Sequence, residues 1–387
     1  MKTISTPIRA TTLLCVLSLL CCLWMSSCRS GEKLYNKGKY DDAVAAFVKK
    51  LQRRPQDATA LRLLPEAYQQ SQRLHEDRVN GFLRSNNQLK WESVRNEYRA
   101  MQRLYDLIHS APAALQVVTP KDYRDAITGA LENAAENRYD RGIALMNKGD
   151  KASARQAYEE FGAALKLVSN YRDAKNMMEE AFQAGIVHVV VSEIDVRSPY
   201  FQFSADQFRD YLVRTLQQRS INRFVVFHDE RYARNENIQP DEYISLRFMD
   251  FVVGQTFVDR LQRDVQKEIV TGTTKDTSGK VINIYTTVKA TLFITKKTVV
   301  SKGLLDYQIT DTYNGKILRT DRIPGSYTWL NQFGTYRGDQ RALSEEDKKQ
   351  IGGRDELPPP PQDLFVEFTR PIYDQLERDL RSFYSRI

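Results

Sequence analysis

Cysteine is confined to one end of this sequence. The 387-residue chain has four cysteines, and none occurs after residue 28. The rest of the chain therefore excludes a disulfide framework, a cysteine-based zinc site and a cysteine nucleophile. The four are Cys15, Cys21, Cys22 and Cys28.

Histidine is also scarce, and no two of the four histidines have the sequence spacing of metal ligands. They are His75, His109, His188 and His228. The chain lacks a Gly-x-Ser-x-Gly elbow, a phosphate-binding glycine loop and a His-Glu-x-x-His motif. His188 lies in a valine run and is predicted to be a core histidine. Three pairs of adjacent acidic residues also occur, and their side chains are predicted to be solvated. The pairs are Asp41 with Asp42, Glu159 with Glu160, and Glu345 with Glu346. We therefore predict a protein that is not an enzyme and that needs no metal and no cofactor.

Neither sign of charge dominates. The formal net charge is +8, from 57 Lys and Arg against 49 Asp and Glu. Charge diluted in this way favours solubility and does not indicate nucleic-acid binding.

The sequence also lacks a hydrophobic run of comfortable length for a helical membrane span. The apolar run of residues 10–25 is shorter than the ~20 residues such a span needs and is typical of a signal peptide. Among the four cysteines, only Cys28 follows small residues, Ser26 and Ser27. The sequence Met-Ser-Ser-Cys at residues 25–28 resembles the lipobox of bacterial lipoproteins.

This resemblance implies that residues 1–27 are a signal peptide that is removed, and that Cys28 carries palmitate-type acyl chains. Two or three such chains anchor a protein firmly in a membrane. The residues after Cys28 resemble neither an Asp-based inner-membrane retention signal nor the acidic surface-export run of Bacteroidota lipoproteins. We therefore expect a lipid anchor in the outer membrane, with the protein facing the periplasm rather than the cell surface.

Two segments share a pattern of small and apolar residues at an offset of 111 positions, namely "SGEKLYNKGKYDDAVAAF" and "DRGIALMNKGDKASARQAY". The pattern resembles the tetratricopeptide repeat, in which small residues let antiparallel helices approach and an aromatic fills the gap between hairpins. Such arrays present a concave surface that commonly binds peptide segments. The residues that carry the resemblance are Gly31, Leu34, Gly38, Ala43 and Phe47 in the first copy, and Gly142, Leu145, Gly149, Ala154 and Tyr158 in the second.

Between the two copies, apolar residues recur at three- and four-residue steps. This period predicts a long amphipathic helix within residues 61–112. Its apolar face comprises Trp91, Val94, Tyr98, Met101, Tyr105 and Ile108. A second helix is predicted to begin at Pro120, with Thr119 as its N-cap.

At Gly185 the hydrophobic period changes. The valine-rich stretch "GIVHVVVSEIDV" predicts a buried strand, and Ser204 with Gln207 predicts a capping box for a following helix. A strand at residues 223–227, a helical turn beginning at Pro240 and a strand in "FMDFVVG" come next.

The later part of the chain predicts a strand meander with two tight turns, at Ser278-Gly279 and Asn314-Gly315. Between them, residues 281–295 alternate unusually regularly and have the ~9–11 residues that a membrane-spanning β-strand needs. The residues predicted to share one face are Ile282, Ile284, Thr286, Val288, Ala290, Leu292 and Ile294.

The opening strand, "DFVVG", the long alternating strand and "LLDYQITDTYNGKILRTDRI" resemble the periplasmic domain of curli-secretion-type lipoproteins and of lipoprotein activators of penicillin-binding proteins. The resemblance covers residues 186–323 and is carried by turn residues, so it implies a fold rather than an activity. Those residues are Asp311, Thr312, Gly315, Lys316 and Ile317. The later segment departs from that family, and its proline run at residues 358–361 is expected to be extended before a closing helix. The apolar face of that helix comprises Ile372, Leu376, Leu380, Phe383 and Ile387.

An aromatic cluster near residue 330 is the candidate partner-binding site, because exposed Trp, Tyr and Arg mark interaction hot spots. An equally good alternative is that these residues plug the side of the sheet. They are Tyr327, Trp329, Phe333, Tyr336 and Arg337.

Together these features predict an α+β protein in three parts: the signal peptide, a helical repeat domain at residues 28–184 with tetratricopeptide-like hairpins, and an α+β sandwich at residues 185–387 with a mixed sheet and long β-hairpins. We expect a non-enzymatic envelope adaptor that binds another envelope protein through the repeat groove and an aromatic loop, and assists outer-membrane assembly or secretion. The alternative is a homo-oligomeric outer-membrane secretion pore of the curli-secretion type, against which Lys296, Lys297 and Lys302 argue.

Overall fold

The structure, a computed structural model, describes residues 31–218 and 221–387. The chain divides into two compact units, one ending at Gly185 and the other spanning Ile186–Ile387. The first unit is helical, and the second holds a five-stranded mixed sheet with helices. The predicted α+β fold class, with helices preceding a mixed sheet, is confirmed.

The described part of the helical unit is a succession of helices in which most helices pack against the next one along the chain. They are α1 (Gly31–Asn36), α2 (Tyr40–Arg53), α3 (Ala58–Arg84), α4 (Lys90–His109), α5 (Pro112–Leu115), α6 (Arg124–Met146), α7 (Lys151–Leu167) and α8 (Ala174–Gly185).

Local chemistry sets the ends of these helices. Asp57 and Asp150 cap α3 and α7, since each carboxylate accepts a hydrogen bond from a backbone N–H three residues on, at 2.9 and 2.8 Å. Gly38 and Gly149 adopt positive φ, at 71° and 75°, and turn the chain between α1 and α2 and between α6 and α7. Glycine suits these positions because it has no Cβ to clash in that conformation.

The long helix predicted within residues 61–112 is present as α4, which carries the whole predicted apolar face from Trp91 to Ile108, and a separate helix, α3, precedes it. One predicted helix boundary in this unit is wrong. The helix predicted to begin at Pro120 begins four residues later, at Arg124. There the preceding residue, Tyr123, is buried, and its N–H donates to Gln102 Oε1 at 2.7 Å. This tertiary contact holds the backbone out of the helix, so Thr119 and Pro120 do not start it.

The second unit is built on the sheet order β2-β1-β3-β4-β5, in which β1 runs parallel to β2 and β3, and the remaining pairs are antiparallel. The strands are β1 (Val187–Val196), β2 (Val225–Asp229), β3 (Glu242–Lys275), β4 (Val281–Asp311) and β5 (Ile317–Gly338). The helices are α9 (Gln202–Gln218), α10 (Glu230–Asn235), α11 (Glu345–Ile351) and α12 (Pro361–Tyr384).

The main core of this unit lies between the sheet and helices α9 and α12. The predicted apolar face of the closing helix is largely correct, since Ile372, Leu376 and Leu380 are fully buried. The helix lies close to the sheet because Gly303 and Gly325, which pair across β4 and β5, leave room for it. A Cβ on Gly325 would lie 2.6 Å from Ile372 Cγ1.

Two local predictions in this unit are also wrong. Ser204 does not cap a helix, because a short 3-10 turn at Pro199–Phe201 leads directly into α9, which begins at Gln202. The helical turn predicted at Pro240 occurs earlier, as α10, where Asp229 caps it through the Tyr232 N–H at 2.9 Å.

The hairpin of β3 and β4 is much longer than the separate strands the sequence predicts, with strands of 34 and 31 residues. Both predicted turns are confirmed, since Ser278-Gly279 separates β3 from β4 and Asn314-Gly315 separates β4 from β5. The predicted strand in "FMDFVVG" forms part of β3, where the register shifts twice between Met249 and Gln255. Such bulges bend a strand without ending it.

Candidate partner-binding site

The five residues predicted to bind a partner lie on strand β5, not on a loop. Pairing with β4 continues through the whole segment that contains them. Because side chains alternate along a strand, Tyr327, Trp329, Phe333 and Arg337 belong to one face of the sheet and Tyr336 belongs to the other. The structure therefore divides the predicted aromatic cluster between two faces.

The burial of these residues also differs. Tyr327 and Trp329 are half-buried, and Tyr327 packs against the main core. Tyr336 is 38% exposed, and Arg337 is exposed beside it. Lys297 Nζ lies 5.4 Å from the centroid of the Phe333 ring. The segment therefore combines sheet packing at one end with accessible side chains at the other.

The repeat residues place a glycine against an aromatic ring in both copies. A Cβ on Gly31 would lie 2.6 Å from Phe47, and a Cβ on Gly142 would lie 2.5 Å from Phe161. The alignment of the two copies predicts Tyr158 for the second contact, but Tyr158 is half-buried and its ring faces another helix. The second aromatic is three residues later because α7 turns a different side toward α6.

The remaining repeat residues are mostly buried. Leu34, Ala43 and Ala154 are buried, whereas Leu145 is half-buried in a separate small cluster. Gly38 and Gly149 occupy the turns described above. Close helix packing at these positions is the feature that the repeat pattern predicts.

The end of the β3–β4 hairpin is an accessible part of the second unit. The pairing of β4 with β5 ends where Ala290 meets Gly338, so the hairpin beyond that point has two strands. We call this part, residues 265–275 and 281–290, the arm; it extends for about 35 Å. β1 pairs with β3 only as far as Phe248. Within the described residues, both outer edges of the arm therefore lack a neighbouring strand.

Apolar side chains are exposed on both faces of the arm. Ile282 and Ile284 lie on one face, at 46% and 47% exposure. Val270 and Tyr285 pair across the strands on the other face, at 49% and 61% exposure. Exposed apolar groups next to unpaired strand edges are typical of surfaces that other chains cover.

The face that carries Ile282 continues toward the body of the sheet as an apolar stripe, defined as the row predicted from the alternating sequence. The inner part of the stripe is buried under residues that follow β5, namely Ala342, Leu343 and Ile351. The buried members of the stripe are Val288, Ala290, Leu292 and Ile294. The prediction that these residues share a face is confirmed for the covered part.

The helical unit contains a buried charge cluster that the sequence does not reveal. His75 is 3% exposed, and its two ring nitrogens lie 2.5 Å from Glu97 Oε2 and 3.0 Å from Asp41 Oδ2. Ser71 Oγ donates to the other oxygen of Asp41 at 2.5 Å. Because the serine bonds the aspartate and not the histidine, this is not the arrangement that activates a serine nucleophile.

Hydrogen bonding sets the protonation of this cluster. The hydrogen bond to Asp41, opposed by burial and supported by Glu97, raises the pKa of His75. Burial acts to raise the pKa of the Asp41 carboxyl, but hydrogen bonds from His75 and Ser71 outweigh it and lower that pKa. The raised pKa extends the pH range in which His75 is protonated, and the histidine with its two acidic neighbours joins α2, α3 and α4.

Two of the acids predicted to be solvated belong to such networks, Asp41 and Glu160. The Asp41 side chain is still 46% exposed, whereas Glu160 is 9% exposed and accepts from Arg138 and Arg141, both at 2.9 Å. The prediction was wrong at Glu160 because its partner cations lie on another helix, about 20 residues away in the sequence.

His188 and His228 also meet, although they are 40 residues apart in the sequence. Their side-chain nitrogens lie 3.1 Å apart because β1 and β2 are adjacent parallel strands. Burial and the neighbouring His188 lower the pKa of His228. Residues 31–218 and 221–387 contain no group of three or more His, Cys, Asp or Glu able to hold a metal ion.

Cys28 and the predicted signal peptide lie outside the described residues. In the part of the chain that is described, no helix combines the length and the apolar character needed to cross a membrane.

Comparison with known proteins gives distant structural similarity only, and one example is described here. No family model matches the chain, and no curated protein matches it. A solved structure described as a neuraminyllactose-binding hemagglutinin homolog from Helicobacter pylori is similar over 51% of this chain and 84% of that chain. The identity is 11% and the TM-score is 0.24.

Proposed function

We propose that this protein is a lipid-anchored, non-enzymatic adaptor of the bacterial cell envelope. In this proposal Cys28 holds it at the periplasmic face of the outer membrane, where it binds another envelope protein and assists outer-membrane assembly or secretion. The observation that carries the proposal is the arm, with its exposed apolar side chains and its two open strand edges.

The arm suits recognition of another chain for two physical reasons. Backbone N–H and C=O groups along an open edge can pair with an added strand, which supplies affinity. The side chains next to the edge then select the partner, and Tyr285 is of the type enriched at interaction hot spots. The helical unit supports the same reading, since packed helical hairpins present surfaces that bind peptide segments.

Cross-linking in intact cells, followed by pull-down and mass spectrometry, tests the adaptor. The wild-type protein is compared with an arm variant, Ile284→Asn with Tyr285→Ser, and with a matched control, Thr273→Ser, which changes an exposed polar residue of the same arm. We expect one heterologous envelope protein, recovered in stoichiometric amount from the wild type and the control and lost from the arm variant. Equal recovery from all three would contradict a role of the arm in partner binding.

A homo-oligomeric secretion pore is the second candidate, and the geometry of the arm favours it specifically. The two strands of the arm run in opposite directions, so the open β3 edge of one copy can pair antiparallel with the open β4 edge of the next. Head-to-tail pairing of this kind closes into a ring when the rotation between successive copies closes. Each strand of the arm also has the ~9–11 residues that a spanning strand needs.

The same cross-linking experiment separates the two functions. Recovery of the protein alone, as a ladder of its own oligomers, would exclude the adaptor and support the pore. A heterologous partner without such a ladder would exclude the pore.

A further inference from the structure

The two open edges of the arm differ in how well they are protected against pairing with another strand. In the arm, β4 carries no charged residue from Val281 to Val288. The β3 side of the arm carries three charged residues and a shift of register. Charged side chains and bulges are the features that keep an edge strand from pairing, so the β4 edge is the less protected of the two. The charged residues of β3 in the arm are Lys267, Glu268 and Lys275.

The β4 edge opens where the chain leaves the sheet. The last pair of β4 with β5 is Ala290 with Gly338, and Gly338 has a φ of 120°. Asp339 N–H then donates to the carbonyl of Lys289 at 3.0 Å, and the residues that follow pass over one face of the sheet. Within the described residues, no strand therefore lies beside β4 beyond Lys289, in the position that β5 fills from Ala290 to Thr310.

The backbone of β4 points outward along this edge at every second residue. The carbonyl of Lys289 points away from β3, because it accepts from Asp339. Residues that bond to one neighbouring strand alternate with residues that bond to the other, so the N–H and C=O groups of Thr287, Tyr285 and Asn283 also point outward. All three residues are exposed. They offer an added strand about six backbone hydrogen bonds.

The side chains next to the edge determine which strand fits. Ile282 and Ile284 lie on the face of the arm that continues the apolar stripe, and each is nearly half exposed. An added strand places every second side chain beside them, because side chains alternate between the faces of a sheet. Apolar β-branched residues suit these positions, since they pack well against such neighbours across strands.

The inner end of the edge is positively charged. Lys289 and Arg337 are exposed there and line one depression together with Asp264. The only other charges considered at this end are Asp339 and Arg341, which pair with each other at 2.6 Å. The three cations exceed the two acids by one charge. An acidic residue at this end of an added strand therefore complements the charge of the site.

We infer that the β4 edge of the arm binds an extended segment of another envelope protein, which adds as an antiparallel strand in line with β5. The inference rests on the adaptor function proposed above. The segment has apolar β-branched residues on the face of Ile282 and Ile284 and an acidic residue at its N-terminal end. The acid belongs at that end because a strand antiparallel to β4 runs in the direction of β5 and so begins next to Lys289 and Arg337.

A synthetic peptide tests the chemistry of the partner. The probe is Glu-Val-Thr-Val-Thr-Ile-Thr, acetylated at its N-terminus and labelled with a fluorophore at its C-terminus, and its seven residues would lie opposite residues 281–287. Fluorescence anisotropy measures its binding to the purified full-length protein. We expect binding to weaken about tenfold or more when lysine replaces the glutamate.

A third peptide tests pairing through the backbone. Proline replaces the first threonine of the probe, which lies opposite Tyr285, and we expect binding to be lost because proline has no N–H to donate to the edge. Equal binding of the three peptides, or binding of none, would overturn the inference.

Two proline variants of the protein distinguish the two edges. Thr287→Pro removes an outward N–H from β4 and spares the pairing with β3. Gln266→Pro is the matched control, because Gln266 lies opposite Lys289 and its N–H points outward from the β3 edge. We expect Thr287→Pro to weaken peptide binding about tenfold or more and Gln266→Pro to bind like the wild type. Equal loss in both variants, or loss in Gln266→Pro alone, would contradict the inference.

A charge reversal keeps the test sharp if Thr287→Pro also lowers the unfolding midpoint. Lys289→Glu changes an exposed side chain and leaves the backbone of the edge as it is. This variant should bind the lysine peptide more tightly than the glutamate peptide, the reverse of the wild type. An unchanged preference for the glutamate peptide would overturn the assigned charge and direction of the segment.

Failure of this inference is distinguishable from failure of the adaptor function. If cross-linking in intact cells recovers a heterologous partner equally from the wild type and from Thr287→Pro, the inference is wrong but the adaptor function stands. If no heterologous partner is recovered from the wild type, the adaptor function itself is refuted. A ladder of self-cross-linked copies that Thr287→Pro abolishes would assign the edge to a second copy of the chain and overturn the choice of partner.

Discussion

His75 shows how one buried side chain joins three helices. Its ring nitrogens contact carboxylates from α2 and α4 while the ring itself is carried by α3. Protonation makes both contacts charge-assisted, which strengthens them. The cluster is therefore a pH-dependent part of the stability of the helical unit.

The sign of this dependence follows from the direction of the shift. The pKa of His75 is raised above its ordinary value of about 6.5. Its contribution is therefore complete below about pH 6.5 and is lost as the pH rises through the raised pKa. At the acidic end, the lowered pKa of Asp41 means that its contribution is lost as the pH falls through that value.

We expect His75→Gln to lower the free energy of unfolding of the helical unit by about 1–3 kcal/mol at pH 6 and by less at pH 9. The measurement is urea unfolding followed by Trp91 fluorescence in a Trp329→Phe background. His109→Gln is the control, because His109 is exposed on the same unit. An equal loss at both pH values would show that the charge on His75 contributes nothing.

Gly325 tests how closely α12 lies on the sheet. Gly325→Ala should cost about 1–3 kcal/mol, because its Cβ would meet the backbone carbonyl of Phe368 and the side chain of Ile372. Urea unfolding followed by Trp329 fluorescence measures this cost. In the matched control Gly272→Ala, the new Cβ lies 3.8 Å from Ile284, and a change within about 0.5 kcal/mol is expected. Similar values for the two variants would mean that the helix can shift away from the sheet.

At the scale of elements, the β3–β4 hairpin divides into parts with different environments. Its base packs against α9 and α12, its middle lies beneath Ala342, Leu343 and Ile351, and its end is the arm. The alternating pattern of β4 is the same in the middle and in the arm. Sequence alternation therefore identifies the strand but does not tell which part is covered.

We expect removal of the arm tip to separate stability from function. In this variant, residues 270–285 are replaced by Asn-Gly, a dipeptide suited to a tight turn. The unfolding midpoint of the second unit should stay at the wild-type value, because these side chains contribute nothing to its main core. Cross-linking to the partner, or to further copies, should be lost. A lower unfolding midpoint with partner cross-linking retained would assign the tip a structural role instead.

At the scale of the whole molecule, each of the two units has hydrophobic clusters of its own. This is the property expected of separately folding domains. The sequence anticipates the division, since the hydrophobic period changes from helical to strand-like at Gly185. The proposed anchor would attach to the membrane a chain in which no described helix is long and apolar enough to cross one.

Cys28→Ala should release the protein from the outer membrane. Cell fractionation with immunoblotting would then detect it in the soluble periplasmic fraction or as the uncleaved precursor, whereas the wild type stays with the membrane. Labelling with a clickable palmitate analogue supplies an independent readout and should be lost in the variant. Membrane retention with labelling intact would exclude Cys28 as the attachment site.

The sequence by itself determined features that depend on neighbouring residues. Helical and strand-like periods, the glycine turns at Asn314-Gly315 and Ser278-Gly279, and the spacing of Gly31 and Phe47 are local signals, and each produces the expected local structure. They suffice for the fold class because burial of an apolar face requires a definite period in each kind of element.

Tertiary structure decided what depends on residues that are distant in the sequence. The helix begins after Pro120 because Tyr123 is buried outside it. Phe161, and not Tyr158, packs on Gly142. His188 lies next to His228 because their strands are parallel neighbours. Tertiary structure also covered half of the apolar stripe and left Ile282 and Ile284 bare. The physical reason is that burial and electrostatic pairing are properties of packed surfaces, which the order of residues along one strand or helix does not specify.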